Sequence, residues 1–492
     1  MKKKVAIIGA GIGGLASACI LAGEGREVKV FDNNRKAGGR CNIMEDQGFV
    51  YDTGPSWYLM PDIFEKFFAL LNERVEDHLE LVKLSPSYRV FFKGGRQVDF
   101  YSDIERDALT AESLEPGAGE KLREYLKMAA YQYDIAMGQF VWRNYESPLD
   151  FFNWRMLSRG IRLSVFSRMQ NYVERFFKSP QMQKIAQYTL VFLGSSPYNT
   201  PALYNIMSHV DLNMGVFYPQ GGIYKVVEAL EKMAIRKGAE FRFSSPVARI
   251  ITSGNLADGV ELVSGEKIAA DTVLSNADIY HTETELIREE RLRSYSRRYW
   301  QSRVSAPSGL VLYLGVKDKI PSLAHHNLLF CGDWKQNFAD IFDAPRWPRD
   351  PSFYVCCPSK TDPSVAPQGK ENLFVFAPIP AGLEYGVGEL SAYTDKILHT
   401  MEKEMNIPSL RGRLQVKHHF CVKDFSSHYH SFRGSALGLA HTLNQTAVFR
   451  PANRSRKIRN LFYAGGNTLP GVGVPMCLIS ADLACRRILN SR

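Results

Sequence analysis

The first part of the chain alternates between short apolar runs and a glycine-rich turn. The apolar run Val5–Ile8 predicts a buried strand, and the small-residue stretch that ends near Gly23 predicts a helix. A second strand is predicted over Glu27–Phe31. The turn between the first strand and the helix holds four glycines, Gly9, Gly11, Gly13 and Gly14. This order of strand, turn, helix and strand is typical of an α/β fold.

The glycines of this unit have the spacing of a dinucleotide-binding turn. Gly9 permits the tight turn, Gly11 lets the backbone approach a pyrophosphate, and Gly14 lets the helix pack closely on the strand. The positive N-terminal end of the helix then receives the phosphates. Asp32 ends the second strand, where its carboxylate can accept hydrogen bonds from ribose hydroxyls. The unit therefore predicts a site for the adenosine half of a dinucleotide.

Two further glycine-rich segments decide between NAD and FAD. Gly38, Gly39 and Arg40 suit a second clamp on the pyrophosphate, although a plain surface turn explains the glycines equally well. Near the other end of the chain, an apolar run and the glycine-rich turn 465–473 precede a helix from about Met476. This turn suits the ribityl and flavin end of a longer cofactor. Sites at opposite ends of the chain predict one long cofactor, FAD.

A later segment, 151–178, combines an apolar stripe with a basic face. The stripe has the spacing of one predicted helix and consists of Trp154, Leu157, Ile161, Val165, Met169, Val173 and Phe176, beside Arg155, Arg159 and Arg162. Two interpretations stay open. The helix packs into the core with a solvated basic face, or it lies at a membrane surface where its arginines meet anionic lipid.

Composition narrows the class of protein. The 492 residues are 45% hydrophobic and 23% charged, which indicates a globular chain of two or three domains. The net charge of +10 fits nucleic acid, anionic lipid or an acidic substrate as a partner, but no nucleic-acid motif accompanies it. We therefore expect no nucleic-acid partner.

The cysteines, the histidines and the N-terminus bear on the compartment, on metal binding and on membrane insertion, in that order. Eight cysteines without CxxC spacing indicate a reduced, cytoplasmic protein. The histidines occur in short doublets that do not match a ligand set, so no metal site is expected. Lys2, Lys3 and Lys4 precede an uncharged run that mimics a signal anchor, but its glycine density argues against a membrane helix. We expect neither a signal peptide nor a transmembrane segment.

At this point the chain resembles the bacterial-type phytoene desaturases, flavin enzymes of glutathione-reductase and amine-oxidase architecture. The resemblance covers nearly the whole chain and is densest in the segments 5–55, 218–222, 275–278, 434–451 and 468–475. With the motifs above, it implies that FAD is held by Gly9, Gly11, Gly14, Asp32, Gly39, Arg40, Pro55, Val247, Gly466, Gly471 and Val472. Leu469 stands where many relatives carry histidine, a departure that bears on the desaturation pattern.

The resemblance also implies a domain organisation. A discontinuous Rossmann-like FAD domain is expected from 1–75, 206–283 and 426–492, and an α+β substrate domain with a membrane-facing helical region from 76–205 and 284–425.

The implied activity is desaturation of a long isoprenoid hydrocarbon, phytoene or a related carotenoid precursor. Such a substrate loads from the bilayer, because exposing it to water costs about 0.8 kcal/mol per CH2-sized unit. We therefore expect a peripheral protein on the cytoplasmic side of a membrane, with quinone or oxygen reoxidising the flavin. No residue stands out as the proton acceptor. The alternatives are an enzyme that isomerises, saturates or oxygenates polyenes, one acting on a 30-carbon precursor, a flavin amine oxidase, and a non-catalytic prenyl-lipid carrier.

Overall fold

The computed structural model describes residues 2–145 and 167–491. Its strands are β1 (Lys4–Ile8), β2 (Glu27–Phe31), β3 (Ile43–Asp46), β4 (Phe49–Asp52), β5 (Leu81–Lys83), β6 (Tyr88–Phe92), β7 (Gln97–Phe100), β8 (Phe217–Pro219), β9 (Glu240–Arg242), β10 (Val247–Ser253), β11 (Leu256–Leu262), β12 (Lys267–Ala269), β13 (Thr272–Ser275), β14 (Ser308–Val316), β15 (His326–Phe330), β16 (Phe353–Cys356), β17 (Glu371–Ile379), β18 (Leu414–Phe420) and β19 (Leu461–Tyr463).

The helices connect these strands and cover the sheets. The α-helices are Ile12–Gly23, Pro61–Leu70, Ile104–Leu114, Ala118–Ala136, Met169–Phe176, Pro180–Gln187, Ile206–His209, Tyr224–Arg236, Ile279–His281, Arg297–Gln301, Trp334–Phe342, Val387–Glu404, Val422–Tyr429 and Val474–Asn490. Wider π-helical turns occur at Met137–Val141, Val210–Met214 and Thr282–Leu286, and short 3-10 segments include Tyr188–Leu193, Leu443–Gln445 and Ala447–Phe449.

A five-stranded parallel sheet occupies one side of the molecule, in the strand order β19-β13-β1-β2-β9. β1 pairs with β2 and with β13, so the predicted strand, turn, helix and strand unit lies at its centre. The helix Ile12–Gly23 is almost entirely buried, because its small side chains let the helices Tyr224–Arg236 and Val474–Asn490 pack around it. The antiparallel sheet β10-β11-β12 covers the opposite face. This arrangement confirms the α/β prediction.

A seven-stranded mixed sheet forms the second layer, in the order β18-β14-β17-β16-β15-β6-β7. Successive side chains of β14 point to opposite faces, as a pleated strand requires. Leu310, Leu312 and Leu314 pack with the helix Val387–Glu404, whereas Val311 and Tyr313 face an aromatic core on the other side. The sheet therefore separates a purely structural core from one that borders a cavity.

The two large sheets draw on different stretches of the chain. The strands of the parallel sheet lie within 1–75, 206–283 and 426–492, and the strands of the seven-stranded sheet lie within 76–205 and 284–425. Parallel neighbours need long crossovers, so distant stretches can meet in one sheet. The division into a cofactor domain and a substrate domain stays a prediction, because the strands alone do not identify what each part binds.

The helix predicted over 151–178 falls largely outside the described residues, including Trp154, Leu157, Ile161, Val165 and all three arginines, Arg155, Arg159 and Arg162. In the described part, a continuous helix is wrong. Arg168 has an extended backbone and forms a bridge with Pro201, so the helix begins only at Met169 and ends at Phe176. Met169 and Val173 are buried in the core, as the packed interpretation requires for this part.

None of the helices in the described part of the chain has the length and apolar character that a membrane span requires.

Candidate functional site

A cavity of about 1240 Å³ is lined by turns of the parallel sheet and by strands of the seven-stranded sheet. This volume exceeds the roughly 300–1,000 Å³ typical of a pocket for one drug-sized ligand. One end is lined by the glycine-rich turns that follow β1 and β19, and the other end is lined by aliphatic and aromatic side chains. The cavity therefore has a polar end and an apolar end.

At the polar end, Gly11 and Gly13 line the cavity, and the side chain of Asn276 explains why neither carries a side chain. A Cβ on Gly11 would lie 2.7 Å from Asn276 Oδ1, and one on Gly13 would lie 2.6 Å from Asn276 Nδ2. Asn276 Nδ2 donates to the carbonyl of Ala464 at 2.9 Å. The side chain of Asn276 thus fills the space between the N-terminal turn and Ala464, just before the C-terminal turn, a role that the sequence did not reveal.

Asp32 lies at the same end, only 6% exposed. Its Oδ2 accepts a hydrogen bond from the Ala10 N–H at 2.7 Å, and its Oδ1 accepts from the N–H and the Nδ2 of Asn34 at 2.7 and 2.9 Å. These donors fix the carboxylate at the cavity wall. Each oxygen keeps acceptor capacity, since a carboxylate offers about four lone-pair sites.

Arg40 faces the cavity from the turn after Gly39, beside a buried carboxylate. Its Nη2 donates to Ser431 Oγ at 2.9 Å and lies 3.7 Å from Asp278 Oδ2. Burial raises the pKa of Asp278, and the nearby guanidinium partly offsets this rise. Arg40 Nε is buried without a hydrogen-bond partner among the described residues, so the side chain has a donor to spare for an anion.

The C-terminal turn, 465–473, closes the polar end from the other side. Gly471 has φ +154, and a Cβ there would lie 2.5 Å from His441 Nε2. Behind the turn, the fully buried Arg450 donates to the carbonyl of Gly466 at 3.0 Å and faces His441 Nε2 at 3.3 Å. Burial lowers the pKa of Arg450 to about 10, and burial together with Arg450 holds the pKa of His441 well below its usual range.

Most of the residues predicted from the sequence meet at this polar end. The cavity is lined by Gly9, Gly11, Asp32, Gly39, Arg40, Pro55, Gly466, Gly471 and Val472. Gly14 lies one turn behind the wall, where a Cβ would fall 2.0 Å from the carbonyl oxygen of Gly9. Val247 begins β10 and does not line the cavity. The Asn276, Asp278 and Arg450 contacts join residues far apart in sequence, and no local pattern indicated them.

These features fit a flavin nucleotide at the polar end. The fixed carboxylate matches a ribose. The two helix N-termini and the arginine with a free donor match a pyrophosphate, and the turns without side chains leave room for a flat ring. The residues that would hold the group are Asp32, Arg40 and the turns at 9–14 and 465–473.

The apolar end is lined by two classes of side chain. Trp57, Phe140, Tyr188, Phe192, Phe330, Tyr354 and Phe374 supply aromatic rings, and Met137, Val141, Leu203, Ile206 and Met207 supply flexible or aliphatic groups. The carboxylates among the described lining residues are Asp32 and Asp278, both at the polar end. The apolar end therefore suits an uncharged, extended hydrocarbon.

One buried cluster behind the aromatic wall contains potential metal ligands, although the sequence predicted no metal site. Pairing of β15 with β16 places His326 opposite Cys356, and one ligand atom of each, with one of His325, lies within 4.8 Å of the others. His326 Nδ1 lies 2.7 Å from Tyr354 OH, and its ring stacks on Trp57 at 4.2 Å. These contacts make the histidine part of the support for the cavity wall.

Comparison with protein families and curated proteins is consistent with this architecture. The family described as flavin containing amine oxidoreductase matches residues 12–489. A carotenoid 3,4-desaturase from Haloarcula japonica is 44% identical over 99% of this chain and 98% of its own length. A zeta-carotene-forming phytoene desaturase from Myxococcus xanthus is 37% identical over 99% of this chain and 94% of its own.

Among solved structures, an oxidoreductase from Methanosarcina mazei aligns with a TM-score of 0.65 at 17% identity, covering 97% of this chain and 99% of the other. At this identity the likeness concerns the fold.

Proposed function

Because the chain belongs to the flavin-containing amine oxidoreductase family, we propose that it is an FAD-dependent desaturase that introduces double bonds into a long isoprenoid hydrocarbon of carotenoid biosynthesis. The single observation that carries this proposal is the continuity of the cavity. A polar end suited to a flavin nucleotide opens directly into an apolar, aromatic end suited to a polyene. The full-length similarity to two carotenoid desaturases supports the same substrate class.

FAD, and not a shorter flavin, is the proposed cofactor. Asp32, Arg40 and the turn at 465–473 all line the cavity, so it offers separate groups for an adenosine ribose, a pyrophosphate and a flavin ring. We assign the ribose to Asp32, the pyrophosphate to Gly11, Gly39 and Arg40, and the flavin end to Pro55, Gly466, Gly471 and Val472. Gly9 and Gly14 shape the turn, and Val247 is assigned to the adenine.

In the desaturation, the bound flavin would supply the acceptor for a hydride from the hydrocarbon. The chain's own residues position the substrate and exclude water. Trp57, Tyr188 and Phe192 present aromatic faces that would stabilise an allylic cation, since a ring face attracts positive charge. No carboxylate lines the described apolar end, which argues against a cationic amine as substrate.

The proposed domains follow from the two roles of the cavity, binding the cofactor and binding the substrate. Segments 1–75, 206–283 and 426–492 form the cofactor domain, and segments 76–205 and 284–425 form the substrate domain. Quinone or oxygen would reoxidise the flavin after each desaturation.

We place the entrance of the cavity at a membrane surface. Leu443 and Phe449 both line the cavity and are 46% and 47% exposed. Val304 is also exposed and lies beside them, since its N–H donates to Gln445. Arg303 directly precedes Val304 in the chain. An apolar rim beside a basic residue suits an anionic bilayer from which the hydrocarbon loads without crossing water. The protein would then be peripheral, on the cytoplasmic side of the membrane.

The test begins with the purified protein. Its cofactor is released by heat and separated by chromatography, where we expect FAD and not FMN. The FAD-loaded protein is then mixed without oxygen with phytoene or a partly desaturated carotenoid in liposomes, and in parallel with putrescine. We expect the flavin absorption to bleach only with the carotenoid and a product with more double bonds to form. Bleaching with putrescine alone would identify an amine oxidase. A saturated, isomerised or oxygenated product would assign the corresponding alternative.

A further inference from the structure

A buried carboxylate lies directly behind the apolar end of the cavity. Asp211 is 1% exposed and belongs to the helical turn Val210–Met214. Its Oδ2 accepts hydrogen bonds from Tyr188 OH at 2.7 Å and from Tyr88 OH at 3.0 Å. Its Oδ1 is buried with no hydrogen-bond partner among the described residues. In the described part of the chain, no lysine, arginine or histidine nitrogen lies within 4.0 Å of either oxygen.

Keeping a carboxylate charged in this position costs free energy, because burial removes its hydration and no cation among the described residues lies close enough to compensate. Burial raises the pKa of Asp211 to about 7, the two phenol hydrogen bonds oppose the rise, and the negative charge of Asp107 adds to it. Tyr88, Tyr188 and Asp107 are the titratable groups that act on it. At neutral pH the group is therefore able both to accept and to release a proton.

Tyr188 connects this carboxylate to the cavity. Its side chain lines the apolar end, and its ring packs against Phe192 and Phe330, which line the cavity as well. Tyr88 binds the same carboxylate oxygen but does not line the cavity. Of the two tyrosines, only Tyr188 is part of the cavity wall.

We propose that Tyr188 and Asp211 form the proton-accepting pair of the desaturation, an inference that rests on the proposed function. Hydride loss to the flavin of that function leaves an allylic cation on the hydrocarbon. The C–H bond on the neighbouring carbon then breaks, and its electron pair forms the new double bond. The proton binds the Tyr188 hydroxyl oxygen while the hydroxyl's own proton passes to Asp211 Oδ2. The carboxylate becomes a carboxylic acid, and the product leaves neutral.

Other cavity groups are less suited to this task. His441 donates from Nδ1 to the carbonyl of Leu193 and faces Arg450 with Nε2, so a second positive charge there is disfavoured. Asp32 and Asp278 lie at the polar end and are held by backbone or side-chain donors. His428 and His430 are exposed and belong to the Arg40 side of the cavity. Tyr133 and Tyr354 line the cavity too, and their hydroxyls contact Asp62 and His326. Asp62 is only half-buried, and burial holds the pKa of His326 low, which disfavours its protonation. Among the described lining residues, Tyr188 is therefore the phenol that is backed by a fully buried carboxylate.

The test compares Asp211→Asn and Tyr188→Phe with Tyr88→Phe, a matched control that removes the other phenol from the same oxygen. The rate of carotenoid conversion is measured against pH on FAD-loaded protein with flavin content checked. The parent should gain activity with an inflection near pH 7, where Asp211 loses its proton. Loss of a general base slows a reaction by about 100-fold or more, so both pair variants should fall that far and lose the inflection.

Tyr88→Phe should keep most of the rate at high pH but move the inflection upward, because the carboxylate loses one stabilising donor. Infrared difference spectra supply a readout independent of turnover: a carboxyl band that titrates near pH 7 should be present in the parent and absent in Asp211→Asn. Tyr188→Phe preserves the ring packing and tests the proposal alone if Asp211→Asn fails to fold.

Three outcomes would overturn the pair. They are near-parental rates in Tyr188→Phe or Asp211→Asn, an inflection retained in Asp211→Asn, or a titrating band that survives in Asp211→Asn. If the parent itself converts no carotenoid, the proposed function is wrong and the role of the pair fails with it. If the parent converts carotenoid and the variants do too, only the pair is wrong.

Discussion

At the scale of single residues, Gly11 gives the sharpest prediction. A Cβ at this position would displace Asn276, whose side-chain amide packs against the N-terminal turn and donates to Ala464, just before the C-terminal turn. Gly11→Val should therefore lower FAD affinity more than tenfold, about 1.4 kcal/mol or more, while the second sheet stays folded. Flavin retained after gel filtration and equilibrium titration of the apoprotein measure the effect.

A matched control for Gly11 is Gly388→Val. A Cβ on Gly388 would meet open space, and Gly388 is not part of the cavity lining. It should bind FAD as the parent does. If Gly11→Val retained one FAD per protein molecule, neither Asn276 nor the pyrophosphate would need the space beside the Gly11 Cα.

At the scale of elements, the two 3-10 segments Leu443–Gln445 and Ala447–Phe449 carry the proposed membrane entrance. Burying the exposed half of Leu443 and of Phe449 in a bilayer would contribute about 1 kcal/mol each. The double variant Leu443→Ser with Phe449→Ser should therefore bind liposomes at least about tenfold more weakly and turn over liposome-loaded carotenoid more slowly. FAD content should be unchanged, as vesicle co-sedimentation and flavin spectra would show.

Ile235→Ser is the control for this pair, since Ile235 is 54% exposed but does not line the cavity. The loss from the double variant should persist at 1 M salt, because apolar contacts are not screened. Equal vesicle binding by the double variant and the parent would place the entrance elsewhere.

At the scale of the whole molecule, buried histidines couple folding to pH. Burial and the neighbouring His325 hold the pKa of His326 well below its ordinary 6.5 in the folded state. Below pH 6.5 the unfolded chain binds a proton at His326 that the folded chain does not, so stability falls as the pH falls. The contribution of one such group approaches about 1.4 kcal/mol per pH unit.

Removing His326 should therefore flatten the acid side of the stability curve. We expect urea midpoints measured at pH 7 and pH 5 to differ less in His326→Gln than in the parent, even though the variant loses the stack on Trp57 and is less stable at pH 7. His399→Gln removes an exposed histidine on the helix Val387–Glu404 and should leave the parental difference in place. If the urea midpoints of His326→Gln at pH 7 and pH 5 differed as much as those of the parent, the prediction would be wrong.

The sequence by itself determined the parts whose signals are local. The turn from Gly9 to Gly14 and the carboxylate at Asp32 lie within about thirty residues, where spacing alone fixes strand, turn, helix and strand. The resemblance to carotenoid desaturases rested on further short motifs and predicted the family correctly. Side-chain periodicity, in contrast, did not reveal that a helix begins only at Met169, because an apolar stripe can run past a helix boundary unchanged.

Only the tertiary structure decided which distant groups meet. Asn276 lies between two glycine turns from opposite ends of the chain, and the Tyr188 hydroxyl donates to Asp211, which belongs to a different helical turn. His326 faces Cys356 because of the register between β15 and β16. A buried aspartate or asparagine has the same letter as an exposed one, and its burial and partners follow from packing between segments that no local pattern connects. The sequence therefore predicted most of the residues that line the polar end of the cavity, and the fold was needed to bring Tyr188 and Asp211 together.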